Sequence, residues 1–155
     1  METNERAEII RAIPVDAKRL TQITLASKAY WGYSENWMTA WSRLLKIDPE
    51  YVIKNEVYKL YLEGVISGWY SLVIQPPTAV LDHLWILPEH IGKGLGRMLF
   101  MHALRIAREH EVKKLEIESD PHAVGFYTKM GAQYVRNAIS DMGRPVPILA
   151  IDLVE

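Results

Sequence analysis

No cysteine occurs in the 155 residues. That absence removes disulfides, thiolate metal sites and a cysteinyl acyl intermediate together. An excess of one charge is lacking too: the net charge is -1, which gives no global field for holding nucleic acid, so any anion site must be local. No apolar run approaches the roughly 20 residues needed to span a bilayer, and the opening Met1-Glu2-Thr3-Asn4-Glu5-Arg6 is polar; a cytoplasmic protein with no membrane partner is the expectation. Repeats, linkers and low-complexity tracts are missing. His90, His102, His110 and His122 lack metal-ligand spacing, so no metal is expected. What is present, 49% hydrophobic and 24% charged residues, is the composition of one ordinary globular domain, able to bury about two thirds of its unfolded surface.

Ile9, Ile10 and Ile13 mark a first strand, and Pro14-Val15-Asp16 opens a helix carrying Leu20, Ile23, Leu25 and Ala26. A second helix follows Ser34 as N-cap, with Glu35, Met38, Trp41 and Leu45 near one face, and stops around Asp48-Pro49. Val57 to Leu62 and Val65 to Ile74 read as a hairpin about the Glu63-Gly64 turn, broken by Gln75-Pro76-Pro77. Val80 to Leu87 is a fourth strand, and Leu95 to His110 a long, mostly apolar helix that must be largely buried. Lys114 to Ser119 gives a strand and Pro121 to Met130 a helix that Gly131 ends. Tyr134 to Ile139 and Ile148 to Val154 close the chain as a pair about the turn Asp141-Met142-Gly143-Arg144. Only the unit from Val80 through the long helix to Ser119 reads as a parallel crossover, and open α/β sheets bind ligands beyond the carboxyl ends of such strands.

The glycines lie there. Gly92, Gly94 and Gly96 alternate ahead of the long helix, so the backbone can curl around a ligand while the unsatisfied amides and positive end of the helix face it. Lys93 and Arg97 add charge beside them, and a phosphate or pyrophosphate is the natural guest. Taken alone, the cluster serves equally as a flexible connection. A Walker loop is excluded because no serine or threonine follows a glycine-lysine pair. The Rossmann fingerprint is a rival, since Glu116 and Glu118 lie about 20 residues on, but Gly94, Gly96 and Leu99 fail its third-glycine position.

The run Leu84-Trp85-Ile86-Leu87-Pro88-Glu89-His90-Ile91-Gly92-Lys93-Gly94-Leu95-Gly96-Arg97 resembles motif A of the GNAT acyltransferase superfamily, whose loop cradles the pyrophosphate of acetyl-CoA. Ile91 stands where that motif has Arg or Gln, which removes a polar side chain and keeps the amides. Downstream, Asp120-Pro121-His122-Ala123-Val124-Gly125-Phe126-Tyr127-Thr128-Lys129-Met130-Gly131-Ala132 resembles motif B, with Asp120 replacing the commoner Asn. The resemblance implies an α/β (α+β) fold: a mixed, mostly antiparallel seven-stranded sheet with helices on both faces, in the order β-α-α-β-β-β-α-β-α-β-β. It implies one domain over residues 1–155, acetyl-CoA as co-substrate, and acyl transfer to a primary amine. On it, cofactor contacts are expected from Trp85, Ile86, Leu87, Ile91, Gly92, Lys93, Gly94, Leu95, Gly96, Arg97, Asp120, Phe126, Tyr127 and Lys129.

Amide formation from a thioester needs a neutral amine, a donor for the developing oxyanion and a proton for the departing thiolate. Without cysteine, direct attack by the amine in a ternary complex is the simplest route. A backbone N–H of Trp85-Ile86-Leu87 is the expected oxyanion donor, and Tyr127 occupies the position that in this family commonly protonates the thiolate. For the general base Asp82, His83, Glu116 and Glu118 are candidates, Asp82 and Glu118 foremost. Strand alternation places Asp82 and His83 on opposite faces, so at most one of them should face the acceptor. Tyr30, Trp31, Tyr33, Trp37 and Trp41 either line the acceptor pocket or, as aromatics at helical spacing more often do, belong to the core. The expected partner is a small-molecule or peptide amine, with no nucleic acid and a homodimer as the candidate assembly. A non-catalytic acyl-CoA sensor, a protein-interaction module and an NAD-binding domain are the competing classes.

Overall fold

The computed structural model describes residues 6–140 and 143–153. Seven strands among them form one sheet in the spatial order β1-β2-β3-β4-β5-β7-β6. In chain order these are β1 Ala7–Arg11, β2 Glu56–Leu62, β3 Val65–Gln75, β4 Thr78–Ile86, β5 Lys114–Glu118, β6 Gln133–Ile139 and β7 Pro145–Asp152. The β4–β5 pair is parallel and every other neighbouring pair antiparallel, because the long helix carries the chain back across the sheet between those two strands. Of the expected closing turn and last strand, Asp141, Met142 and Val154 lie outside the described residues.

The helices are α1 Ala17–Tyr30, α2 Glu35–Leu44, α3 Pro49–Lys54, α4 Leu95–Glu109 and α5 Val124–Lys129. Ser34 caps α2 by accepting from the Trp37 amide at 3.3 Å. α3 corrects the sequence reading: Asp48-Pro49 does not merely stop the second helix but begins a third, with Pro49 at the first position, where its missing N–H costs nothing. A 3-10 turn, Pro14–Asp16, precedes α1, and another, Pro121–Ala123, precedes α5.

Two hydrophobic clusters cover the two faces of the sheet. α4 lays Leu95, Leu99, Phe100, Ala103, Leu104, Ile106 and Ala107 on one face, against Leu60, Tyr70, Leu72, Leu81, Leu115 and Ile117. α1 and α3 place Leu20, Ile23 and Val52 on the other, against Val57, Trp69 and Leu87. Neighbours such as Trp69 and Tyr70 divide between the clusters, as the two-residue period of a strand requires.

Candidate active site

β4 and β5 pair only from Thr78↔Lys114 to Leu81↔Ile117, although β4 continues to Ile86. The strands part where β4 gains a residue. Opposite it, β3 steps from Leu72↔Leu81 directly to Ser71↔His83, leaving Asp82 unmatched. Such a bulge bends the strand and re-aims the side chains that follow. It also corrects the expectation from alternation: Leu81 packs on the α4 face, whereas both Asp82 and His83 turn to the α1 side and line one cavity. The sequence does carry the signal, since the inward apolar positions Ala79 and Leu81 resume at Leu84 and Ile86, out of phase by one.

Ladder geometry decides which amides face the fork. Leu87 N–H donates to the Ser67 carbonyl at 2.9 Å. By the alternation of an antiparallel ladder Trp85 also bonds toward β3, while Leu84 and Ile86 turn their N–H groups the other way, into the fork. Of the three amides expected as oxyanion donors, those of Trp85 and Leu87 thus point toward β3 and that of Ile86 into the fork, where Leu84 joins it. Ser27 Oγ, on α1, donates to the Ile86 carbonyl at 2.8 Å and fixes the upper edge. Gly68 is required beneath it: a Cβ there would stand 2.8 Å from the Trp85 carbonyl oxygen.

Beyond β4 the chain makes a 3-10 turn, Pro88–His90, and enters the glycine loop. Gly92 and Gly94 have φ of 89° and 82°, and nothing lies within 4 Å of where their side chains would be. Left-handed backbone beside open space is what a close-approaching ligand needs. Met98 N–H is bonded to the Gly94 carbonyl at 3.2 Å, so the amides of Leu95, Gly96 and Arg97 precede the first helical bond and point outward at the positive end of α4. Lys93 Nζ lies 3.1 Å from His90 Nδ1, Arg97 reaches the Met130 sulfur at 3.7 Å, and Ile91 is exposed. The Leu95 side chain belongs to the core. A Cβ on Gly96 would meet only the Phe126 ring, at 3.5 Å. Room, amides and two cations together suit a pyrophosphate.

On α5, Tyr127 is 5% exposed and Lys129 is exposed. The Tyr127 hydroxyl makes no hydrogen bond among the described residues, and no fully buried side-chain polar atom there lacks one. The ring is therefore buried while its oxygen reaches the surface. Burial, helped by the Asp120 charge, pushes this phenol well above its usual range, so it stays protonated.

On the α1 side of the fork is a cavity of about 490 Å³. Asp82 accepts from the Tyr51 hydroxyl at 2.5 Å, and Tyr51 also meets Ser71 Oγ at 2.8 Å. His83 Nδ1 accepts from the Trp85 indole N–H at 2.9 Å. An indole can only donate, so the neutral imidazole carries its proton on Nε2, 3.9 Å from Asp82. Burial holds His83 below the ordinary imidazole range, with Asp82 opposing and Lys28 assisting. Glu118 lines the cavity. Glu116 instead bonds Arg136 at 3.0 and 3.3 Å, which keeps its carboxyl below the usual range.

Asp120, expected at the cofactor, is held by protein groups. Lys28 Nζ donates to it at 2.8 Å, the Tyr33 hydroxyl lies 3.1 Å from both its oxygens and His122 N–H donates at 2.9 Å, which draws it to the cavity wall. Burial pushes the Asp120 carboxyl up, but the bond and charge of Lys28, with His122, outweigh it and bring it down to about 2. Of the five aromatic residues, Tyr30 and Trp31 are exposed, Trp31 stacks on His122 at 4.6 Å, Trp41 is buried, and Tyr33, Trp37 and Trp41 surround Lys28 and Arg144. Sequence reasoning missed Tyr51, Lys28 and Arg144. For Lys28 a signal exists, since it continues the buried face Leu20-Ile23-Thr24-Ser27 of α1; for Arg144, in a turn, none does.

A parallel pair forced apart, with a glycine cradle on one side and a polar cavity on the other, is the layout of an acyl-CoA-dependent N-acyltransferase. The chain belongs to the Acetyltransferase (GNAT) family, whose model matches residues 20–132. It is 30% identical over 131 residues to the peptidyl-lysine N-acetyltransferase YjaB of Salmonella typhimurium, covering 74% of this chain and 88% of that protein. The PaiA N-acetyltransferase of Thermoplasma acidophilum, solved in complex with coenzyme A, superposes with a TM-score of 0.80 at 18% identity, over 95% of this chain and 99% of that one. The ribosomal-protein-S18-alanine N-acetyltransferase of Escherichia coli gives 0.71 at 19%, over 97% and 96%. These two likenesses are of fold. Family membership makes the chain an N-acetyltransferase, moving an acyl group from acetyl-CoA to an amine. Among the described residues no helix is long and apolar enough to cross a membrane, and no cluster of side chains is arranged to hold a metal.

Proposed function

We propose that residues 1–155 act as a single domain that acetylates a primary amine, on a small molecule or a peptide, by direct attack within a ternary complex. The observation that carries this reading is the fork itself: fork-facing amides at Leu84 and Ile86 lie between the glycine cradle and a cavity bearing Asp82. In this reading Gly92 and Gly94, the first amides of α4, Lys93 and Arg97 hold the pyrophosphate. The Leu84 and Ile86 amides hold the thioester arm and the oxyanion that develops on its carbonyl.

The base follows by elimination within the cavity. His83 has its acceptor nitrogen occupied by Trp85 and a proton on the other, so it cannot take one from the amine. Glu116 is bound to Arg136. The carboxylates Asp82 and Glu118 remain, and in this reading Asp82 receives the amine proton as the C–N bond forms, directly or through water. As the C–S bond breaks, Tyr127, kept protonated by its burial, gives its hydroxyl proton to the departing thiolate. Solvent restores both. The absence of cysteine favours this route over an acyl-enzyme.

Initial rates at crossed concentrations of acetyl-CoA and amine test the proposal: intersecting lines are expected, and parallel lines with an isolable acyl-enzyme would refute direct attack. Acetyl-CoA at about 100 times its dissociation constant should raise stability by roughly 2.7 kcal/mol.

A further inference from the structure

Two bonded groups of charged side chains line the cavity. In one, Asp82 accepts from Tyr51. In the other, Asp120 faces two cations among the described residues, Lys28 at 2.8 Å and Arg144 at 3.8 Å.

Of these two cations Arg144 is the one with donors to spare among the described residues. Lys28 is spent: its side chain is 8% exposed, bonded to Asp120, with the ammonium 4.1 Å from the Trp41 ring centre. The Arg144 guanidinium donates one hydrogen bond among the described residues, to the Tyr33 hydroxyl at 3.3 Å. Its approach to Asp120 is too long to be another. The rings of Tyr33, Trp37 and Trp41, centred 5.0, 5.0 and 5.3 Å away, hold the group in place by cation–π attraction without using its N–H donors. A fixed guanidinium on a cavity wall with most of its donors unused among the described residues is suited to a carboxylate, which it can grip through two parallel bonds.

We propose that Arg144 binds a carboxylate of the acceptor, so that the substrate is an amine carrying a carboxylate at a distance, its amine at the Asp82 end and its carboxylate at the Arg144 end. This rests on the cavity being the acceptor site. The carboxylate belongs either to a free ω-amino acid or to an acidic residue or terminus near the acceptor amine of a peptide.

Three acceptors with the same six-carbon chain test it, the isosteric pair 6-aminohexanoate and 6-aminohexanamide and the plain hexylamine, with shorter ω-amino acids to read the spacing. The carboxylate should give kcat/KM about tenfold above the other two, mostly through KM, and in Arg144→Gln the ratio should fall to about one. Hexanoate should compete with the acceptor on the unaltered enzyme and hexanamide should not, a readout that stands even where the variant fails to fold. A paired arm compares lysine peptides flanked by Glu or Gln; preference in that arm alone assigns the carboxylate to a peptide, and preference among the small amines alone to a free amino acid. Equal kcat/KM for all acceptors in both arms, with turnover intact, overturns the carboxylate and leaves the proposed function standing. No transfer to any amine, while acetyl-CoA still raises the melting temperature, overturns the acceptor site and this inference with it.

Discussion

The two sides of the β4–β5 fork are built from different parts of the chain. On the cradle side the groups aimed outward are backbone: left-handed glycines and the first amides of α4, with the Leu95 side chain turned into the core. On the cavity side they are side chains drawn from several distant elements: Lys28 from α1, Tyr51 from α3, Asp82 from β4, Asp120 after β5 and Arg144 before β7. Backbone suits a partner that never changes, because its geometry survives most substitutions. Side chains suit one that differs from enzyme to enzyme. Substitutions should therefore be costly in the cavity and cheap in the cradle, unless they alter the path of the chain.

The largest effect should come from Asp82→Asn, which keeps shape and removes basicity; kcat is expected to fall about 10²–10⁴-fold with acetyl-CoA binding retained. An equal loss of acetyl-CoA binding, measured by calorimetry, would erase the distinction between the two sides. Lys28→Met removes the nearest cation from buried Asp120 and leaves it Tyr33, His122 and Arg144, so denaturant melts should show a loss of about 1–3 kcal/mol. The same pair predicts acid sensitivity. A carboxyl lowered to about 2 in the fold contributes stability above its unfolded value near 3.8, and that stability is lost as pH falls from about 4 toward 2. Melts at stepped pH should show the decline, shallower in Lys28→Met. Tyr127→Phe should lower kcat about 10²-fold without changing acetyl-CoA affinity, and single-turnover thiol release reads it.

Smallest are the glycine changes, and they divide the cradle itself. Gly94→Ala meets open space but must hold φ at 82°, a strain of about 1–2 kcal/mol that should weaken acetyl-CoA binding. Gly96→Ala keeps ordinary helical backbone and meets only the Phe126 ring at 3.5 Å, so little change is expected.

The same contrast explains what could be read before the structure. Strands and helices were legible where period and punctuation agree, as in α4 with its apolar stripe or the pair about Glu63-Gly64. The cradle was legible because glycine spacing records a backbone path directly. α3 was hidden by Asp48-Pro49, a pair that can end one helix or begin another. The cavity was hidden for a deeper reason: Lys28 meets Asp120 across 92 positions and Arg144 meets Tyr33 across 111, and no local pattern encodes such encounters. The aromatic run left pocket and core both open, because ring residues at helical spacing serve either. Here two buried or half-buried cations, Lys28 and Arg144, give those rings another task.

A strand counts in twos, and the extra residue at Asp82 makes β4 miscount once. Everything before it is in one phase and everything after in the other, which is how Leu84 and Ile86 reach the α4 core while His83 and Trp85 face the cavity. Replacing the side chain of Asp82 would silence the site and leave that phase intact. Removing the residue altogether would do something different: Leu81 would then be followed directly by His83 in regular alternation, so the faces would stay as they are, while the bulge would go and with it the bend that parts β4 from β5. The catalytic opening is thus specified less by which residues the strand contains than by its having an odd number of them at one place.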